Sequence, residues 1–152
     1  MAGKQTRLDE FIPYRMAVTA NAVTDLISGE YKNEFGLKIP EWRVLAVLGD
    51  AGSLTQRELV RVTLMDKVAV NRACKVLEDR GLVSRSPNVA DGRSHHLMLT
   101  EAGRAMYDRL WPQAQEIYER IFSALTERET QRLRVMLDKL LKAARVIEGE
   151  RR

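Results

Sequence analysis

Apolar residues recur at helical spacing through most of this chain. From Asp9 or Pro13 to about Glu34 they stand three or four positions apart, which predicts a long amphipathic helix. Residues 40–52 predict a second helix, closed by Gly49 and Gly52. The stretches after Thr100 and after Thr126 predict two more long helices, each with its own apolar stripe.

Between residues 53 and 100 the pattern changes to shorter elements. Thr55 followed by Glu58 has the spacing of a capping box and predicts the start of a short helix, with Leu59 and Val62 on its apolar side. Asp66 predicts the start of a second helix and Gly81 its end, because these residue types favour the two kinds of helix terminus. Four apolar positions in this second helix recur at helical spacing and are expected to be buried: Val70, Ala73, Cys74 and Leu77.

Two short strands are predicted after these helices, at residues 82–83 and 96–99, on either side of a polar loop. Two helices joined by a tight turn and followed by a two-stranded wing outline a winged helix-turn-helix, whose second helix fits the major groove of DNA. We therefore predict a mainly α fold with a small β-wing. The winged helix-turn-helix lobe would span residues 39–100, and a helical dimerisation region would combine residues 1–38 and 101–152.

Composition narrows the possible partners. The chain has 152 residues, 45% of them hydrophobic, and a formal net charge of +4. Residues 53–100 contain eight Lys and Arg against five Asp and Glu, which favours a polyanionic partner. A single cysteine, Cys74, excludes an internal disulfide framework. No apolar run reaches the length of a membrane span, so we expect a cytoplasmic protein without a membrane partner.

The segment DKVAVNRACKVLEDRGLVSRSPNVADGRSHHLMLTEAG resembles the MarR family of bacterial transcription regulators, and the resemblance extends over nearly the whole chain. It carries the family's Asp-capped recognition helix, its Gly-Leu-Val, its Asp-x-Arg wing and its Leu-Thr-x-x-Gly. Val68 and Ala69 depart from the Ser or Thr that is usual near the start of the helix. Asp91-Gly92-Arg93 departs from the usual Asp-Arg-Arg.

The resemblance implies a homodimeric, sequence-specific DNA-binding regulator that recognises a pseudo-palindromic operator. Repression is the family's usual mode, and many members bind small phenolic or other aromatic compounds between the dimer region and the DNA-binding lobe. A small aromatic effector that releases the DNA is therefore expected here, and no cofactor.

The predicted DNA contacts lie on the outward face of the second helix, on the helix before it and on the wing. Asn and Arg suit the edges of adenine and guanine, and small apolar groups suit the thymine methyl. Arg93 at the wing tip suits a narrow minor groove, with Asp91 holding its guanidinium before DNA arrives. A solvated charged helix face and an ordinary turn are the alternatives. The predicted residues are Arg57, Lys67, Val68, Ala69, Asn71, Arg72, Lys75, Asp91 and Arg93.

The predicted effector contacts are aromatic residues and nearby arginines in the first, second and fifth helices. An Arg can pair bidentately with the carboxylate of an aromatic acid. Core packing is the alternative explanation for the aromatic residues. The predicted residues are Tyr14, Arg15, Trp42, Arg43, Tyr107 and Trp111.

The sequence gives little support to other classes of function. His95 and His96 are adjacent at the start of the second predicted strand and would point to opposite faces, so a metal site is not expected. No phosphate-binding or catalytic motif is present, so an enzyme is not expected. The rival interpretation is a helical protein-interaction module that does not bind DNA. It explains the apolar stripes but gives the wing and the polar face of the second helix no role.

Overall fold

A computed structural model describes residues 7–151. It confirms a mainly α fold with a small β-wing. None of the helices in these residues is both long enough and apolar enough to cross a membrane. The elements in chain order are α1 Arg7–Glu10, α2 Ile12–Phe35, α3 Ile39–Ala51, β1 Leu54–Thr55, α4 Gln56–Thr63, α5 Lys67–Asp79, β2 Val83–Pro87, β3 His95–Leu99, α6 Glu101–Phe122 and α7 Glu127–Glu150.

The helix termini follow the local signals in the sequence. The hydroxyl of Thr55 accepts the N–H of Glu58 at 3.2 Å, and the Glu58 carboxylate accepts the N–H of Thr55 at 2.7 Å. The carboxylate of Asp66 accepts the N–H of Ala69 at 2.8 Å. Gly81 follows the end of α5 with a φ of 69°, a left-handed conformation that glycine adopts without strain. The predicted start of α4 and both predicted termini of α5 are therefore confirmed.

The sheet has three strands rather than the two that the sequence predicted. It is antiparallel in the order β1-β3-β2, with Leu54 opposite Leu97. The prediction missed β1 because a two-residue strand shows no alternation and its partner lies far along the chain. It also ended β2 too early, since Ser84 to Pro87 continue the pairing with β3.

Two further expectations about single residues are wrong. Gly49 does not close the second helix, because α3 continues to Ala51 and ends at Gly52. A Cβ atom at position 49 would overlap the ring of Tyr107, so Gly49 allows α6 to approach α3 closely. Val62 was expected on the apolar side of α4, but it is 49% exposed.

The described chain forms two compact units, one that ends at Gln115 and one that begins at Glu116, so the boundary falls within α6. In the first unit the core joins the end of α2 to α3, α4, α5, the sheet and the first half of α6. In the second unit α7 has no buried residue and leaves an apolar stripe exposed. The buried core residues of the first unit are Tyr31, Phe35, Leu37, Val44, Leu45, Leu48, Leu59, Val70, Ala73, Cys74, Leu77, Leu82, Val83, Leu97, Leu110 and Ala114.

Candidate nucleic-acid interface

Helix α5 buries one face and presents the other to solvent. Its four predicted core residues are each at most 2% exposed, which confirms the helical pattern. The cap at Asp66 fixes where the helix starts. Of the predicted contact residues on the outward face, Ala69 is half-buried. The others are exposed: Lys67, Val68, Asn71, Arg72 and Lys75.

The polar side chains on this outward face differ in their partners. The Lys75 ammonium lies 3.1 Å from the Asp79 carboxylate, and both side chains are more than half exposed. The Asn71 carbonyl oxygen accepts a hydrogen bond from the Gln56 amide at 3.1 Å, so its own amide N–H groups remain to donate to a ligand. Arg72 forms no ion pair with any residue between 7 and 151. As the one arginine within α5, it has a guanidinium that can bind a new acceptor.

A groove runs between α4, the start of α5 and the wing, and we call it the wing groove. Its volume is about 720 Å³. Four Lys and Arg side chains face two carboxylates along its walls, so it favours an anionic occupant. The lining residues are Thr55, Gln56, Arg57, Glu58, Val60, Lys67, Arg85, Asn88, Asp91, Arg93, Ser94 and His95.

The wing tip is held by hydrogen bonds within its own loop. The Asn88 amide donates to the hydroxyl of Ser94 at 2.9 Å, and the Asp91 carboxylate accepts the backbone N–H of Arg93 at 3.0 Å. The expectation that Asp91 holds the Arg93 guanidinium is therefore wrong in this structure, because the carboxylate caps a turn instead. Arg93 is exposed, lines the wing groove and has no ion-pair partner among the described residues.

Two carboxylates connect the helices beside the wing groove to the sheet. Glu78 on α5 accepts a hydrogen bond from the Arg85 guanidinium on β2 at 2.6 Å, which raises the pKa of Arg85 above its ordinary value. The hydrogen bonds from Thr55 hold the pKa of Glu58 below its ordinary value, with a smaller contribution from nearby His96. The lowered pKa keeps Glu58 ionised at neutral pH. Glu78 ties α5 to β2, and Glu58 ties α4 to β1.

A second groove of about 600 Å³ lies on the other side of α5, against the start of α3. Arg72 and Lys75 line it together with Lys38, the residue that precedes α3. Lys38 is not among the residues predicted from the sequence, and neither are Arg85 and His95 in the wing groove. Arg85 had a usable signal, as a basic residue in the polar loop between the two predicted strands. Lys38 had none, because only tertiary packing brings it beside α5.

The predicted effector residues divide into two groups. Trp42, Tyr107 and Trp111 line one cavity with Tyr31, and the Trp111 ring stacks on Tyr107 at 5.9 Å. This aromatic cavity has a volume of about 10 Å³, room for one water molecule at most. The Trp42 indole N–H is buried there without an acceptor in the described chain. The other three predicted residues do not line it: Tyr14, Arg15 and Arg43.

Cysteine and metal chemistry contribute little to this surface. Cys74 is fully buried on the inner face of α5, and burial raises the pKa of its thiol to about 11. Its thiol is therefore neutral at physiological pH and a weak nucleophile. Across residues 7–151, no cluster of three or more His, Cys, Asp and Glu side chains has the arrangement of a metal site.

Comparison with known proteins agrees with this geometry. Residues 35–94 match the model of the MarR family. The transcriptional repressor Rv2887 of Mycobacterium tuberculosis is 33% identical over 69% of this chain and 76% of its own length. The transcriptional repressor IacR of Pseudomonas putida is 28% identical over 90% of this chain and 81% of its own.

A solved structure shows the same fold in the presence of DNA. A mutant of the Escherichia coli protein MarR, crystallised with operator DNA, superposes with a TM-score of 0.76 and 27% identity. The match covers 90% of this chain and 99% of that one. The winged helix-turn-helix, the capped helix α5 and these relatives lead to one conclusion: the chain belongs to the MarR family of transcription regulators, which are DNA-binding proteins and not enzymes.

Proposed function

We propose that this protein is a homodimeric repressor that binds a pseudo-palindromic operator and releases it when a small aromatic effector binds. The observation that carries the proposal is the outward face of α5, which exposes base-reading side chains beside a basic groove. Helix α5 would enter the major groove, and the wing would reach the adjacent minor groove. The relatives named above are themselves repressors, which supports the same mode here.

The exposed side chains suggest how the contacts divide between bases and backbone. Arg72 and Asn71 would hydrogen-bond to guanine or adenine edges, while Val68 and Ala69 offer apolar contact to thymine methyl groups. The basic residues Lys75, Lys67 and Arg57 would bind phosphates and fix the register of the protein on the duplex. Arg93 would enter the minor groove, where a narrow A·T-rich sequence attracts a guanidinium.

Dimerisation is supported by apolar surface that the single chain leaves uncovered. The first half of α2 exposes Ile12 at 65% and Met16 at 39%, and α7 exposes Met136 at 53% and Leu140 at 50%. Each helix carries these residues as a continuous stripe, which is more than scattered exposure would produce. A second copy would cover both stripes and would place two α5 helices on one duplex.

The effector would bind at the aromatic cavity beside α3 and α6. At about 10 Å³ it holds no organic ligand, whereas ligand pockets usually reach several hundred Å³. An aromatic acid would enter only by displacing the stacked pair Tyr107 and Trp111. Trp111 is 43% exposed and is the more readily moved of the two. Such a ligand would release DNA because it binds the opened conformation more tightly than the closed one.

Selection of bound fragments from random DNA tests the central proposal. A regulator should enrich a two-fold symmetric sequence and bind it with a strongly negative slope of log affinity against log salt. A protein that enriches nothing and shows no salt slope would instead be an interaction module, and the proposed function would be wrong.

Intrinsic fluorescence tests the effector proposal, because both tryptophans of the chain, Trp42 and Trp111, line the aromatic cavity. Phenolic acids and their thioesters that release the operator in a gel-shift assay should also change this fluorescence with the same concentration dependence. The Trp111→Phe variant isolates the signal of Trp42. A compound that releases DNA without altering either signal would place the effector elsewhere.

A further inference from the structure

One arginine joins the recognition helix directly to the end of the first long helix. Arg80 is the C-terminal cap residue of α5. Its guanidinium donates to the carbonyl oxygen of Phe35 at 2.8 Å and to that of Gly36 at 3.3 Å. Both carbonyls stand at the C-terminus of α2, more than 40 residues away along the chain.

These two carbonyls are suited to such a donor. The last carbonyls of a helix have no partner within the helix, and they carry the negative end of its dipole. Gly36 ends α2 in a left-handed conformation, with a φ of 63°. A guanidinium with several N–H donors in a fixed fork can satisfy both oxygens at once. Arg80 therefore donates, from the end of α5, to two carbonyls that α2 itself leaves without a donor.

The same turn of α2 is also held from the opposite direction by α6. The Glu34 carboxylate accepts hydrogen bonds from Arg109 at 3.0 Å and from Gln113 at 2.9 Å. The Arg109 guanidinium also lies over the ring of Phe35, 5.1 Å from its centroid. The end of α2 is thus fixed to α6, and Arg80 fixes α5 to that end.

We propose that Arg80 is a positioning residue that sets the angle of the recognition helix relative to α2, and through it the spacing between the two half-sites. This inference rests on the proposed homodimeric function. Asn71 stands nine residues before Arg80, about 14 Å along the helix, so Arg80 itself lies away from the reading end. A rotation of roughly 10° about Arg80 would displace the reading end by about 2–3 Å, close to the 3.4 Å rise of a base pair.

The test measures tolerance to half-site spacing rather than affinity alone. Wild-type protein and the Arg80→Ala variant are titrated with the selected operator and with operators that carry one base pair more or fewer between the half-sites. The spacing ratio is the affinity for the selected operator divided by that for the altered one. Arg80→Ala should lower this ratio by roughly 2- to 30-fold, the range seen when a coupling residue is removed.

Two further variants separate positioning from stability and from DNA contact. Lys75→Ala is the matched control, because loss of a phosphate contact weakens every operator equally and leaves the spacing ratio unchanged. Arg80→Lys keeps the charge but not the planar fork, so it should give an intermediate ratio. If the Arg80→Ala variant does not fold, the Arg80→Lys variant is measured in its place.

The outcomes distinguish this inference from the function on which it rests. If the wild-type protein binds all spacings equally well, it does not recognise two half-sites as a dimer, and the proposed role of Arg80 is also wrong. A clear wild-type preference that the folded Arg80 variants retain would overturn the role of Arg80 alone. A lowered ratio in Arg80→Ala, with an unchanged ratio in Lys75→Ala, would support it.

Discussion

The outward face of α5 allows a paired prediction, because two of its cations stand in different surroundings. Arg72→Ala removes a guanidinium that has no ion-pair partner among the described residues, whereas Lys75→Ala removes an ammonium paired with Asp79. That pair is exposed at 73% and 61% and lies one helical turn apart. Pairs of this kind stabilise a protein by about 0.3–0.5 kcal/mol, so both variants should melt within about 2 °C of the parent.

The two variants should differ in how they change DNA binding. A bidentate contact to a base edge contributes about 1–3 kcal/mol, so Arg72→Ala should weaken the selected operator by roughly 5- to 150-fold and relax one symmetric pair of base positions. Loss of one phosphate contact at Lys75 should lower the salt slope by about 0.9. Between 50 and 200 mM salt, affinity would then fall about 3.5-fold less in Lys75→Ala than in the wild type.

Fluorescence anisotropy with labelled operators measures both effects, at four or more salt concentrations and with each base position substituted in turn. Thermal melts of each variant supply the folding control. If Arg72→Ala weakens all sequences equally, Arg72 is a phosphate contact and not a base reader. If both folded variants bind the operator as the parent does, α5 is not the reading element and the proposed docking is refuted.

Three further predictions concern other parts of the molecule. Arg93→Ala should weaken operator binding by about 1–3 kcal/mol and remove a preference for A·T-rich flanks. If affinity and flank preference are both unchanged, Arg93 is only a solvated charge on the loop. Replacing Leu137 and Leu140 together by Asp should yield monomers or aggregates in analytical ultracentrifugation, because unpaired carboxylates are costly to bury; a stable dimer would exclude this stripe from the interface. The raised pKa of Cys74 means that its neutral thiol contributes stability fully below about pH 9 and loses that contribution as pH rises through about 11. Urea unfolding of Cys74→Ala should lack this part of the alkaline decline, and identical profiles would contradict the burial argument.

The parts of the fold that the sequence predicts are those with a local cause. Asp66 and Thr55 cap their helices through hydrogen bonds that span three residues, and Gly81 adopts a conformation that other residues avoid. The four buried positions of α5 follow from helical period alone. Such features depend on a few neighbouring residues, so a single sequence contains enough information to place them.

The missed features depend on contacts between distant segments. Strand β1 exists because Leu54 meets β3, and Gly49 is needed because Tyr107 packs against it. The candidate interface shows the same division. The outward residues of α5 follow from the helix pattern, whereas Lys38 joins them only through packing of α3 on α5. The size of the aromatic cavity is set by side-chain rotamers that no sequence pattern specifies.

The pairing of β1 with β3 has a consequence for how the lobe folds. Leu54 and Thr55 close a loop of about 40 residues on His96 and Leu97, and α4, α5 and β2 all lie inside it. Closing such a loop costs chain entropy that is recovered only when the enclosed helices pack. Thr55 also caps α4, so a change that frays this short strand removes a wing contact and a helix cap together. The wing and the helices it flanks should therefore form and unfold as one cooperative unit.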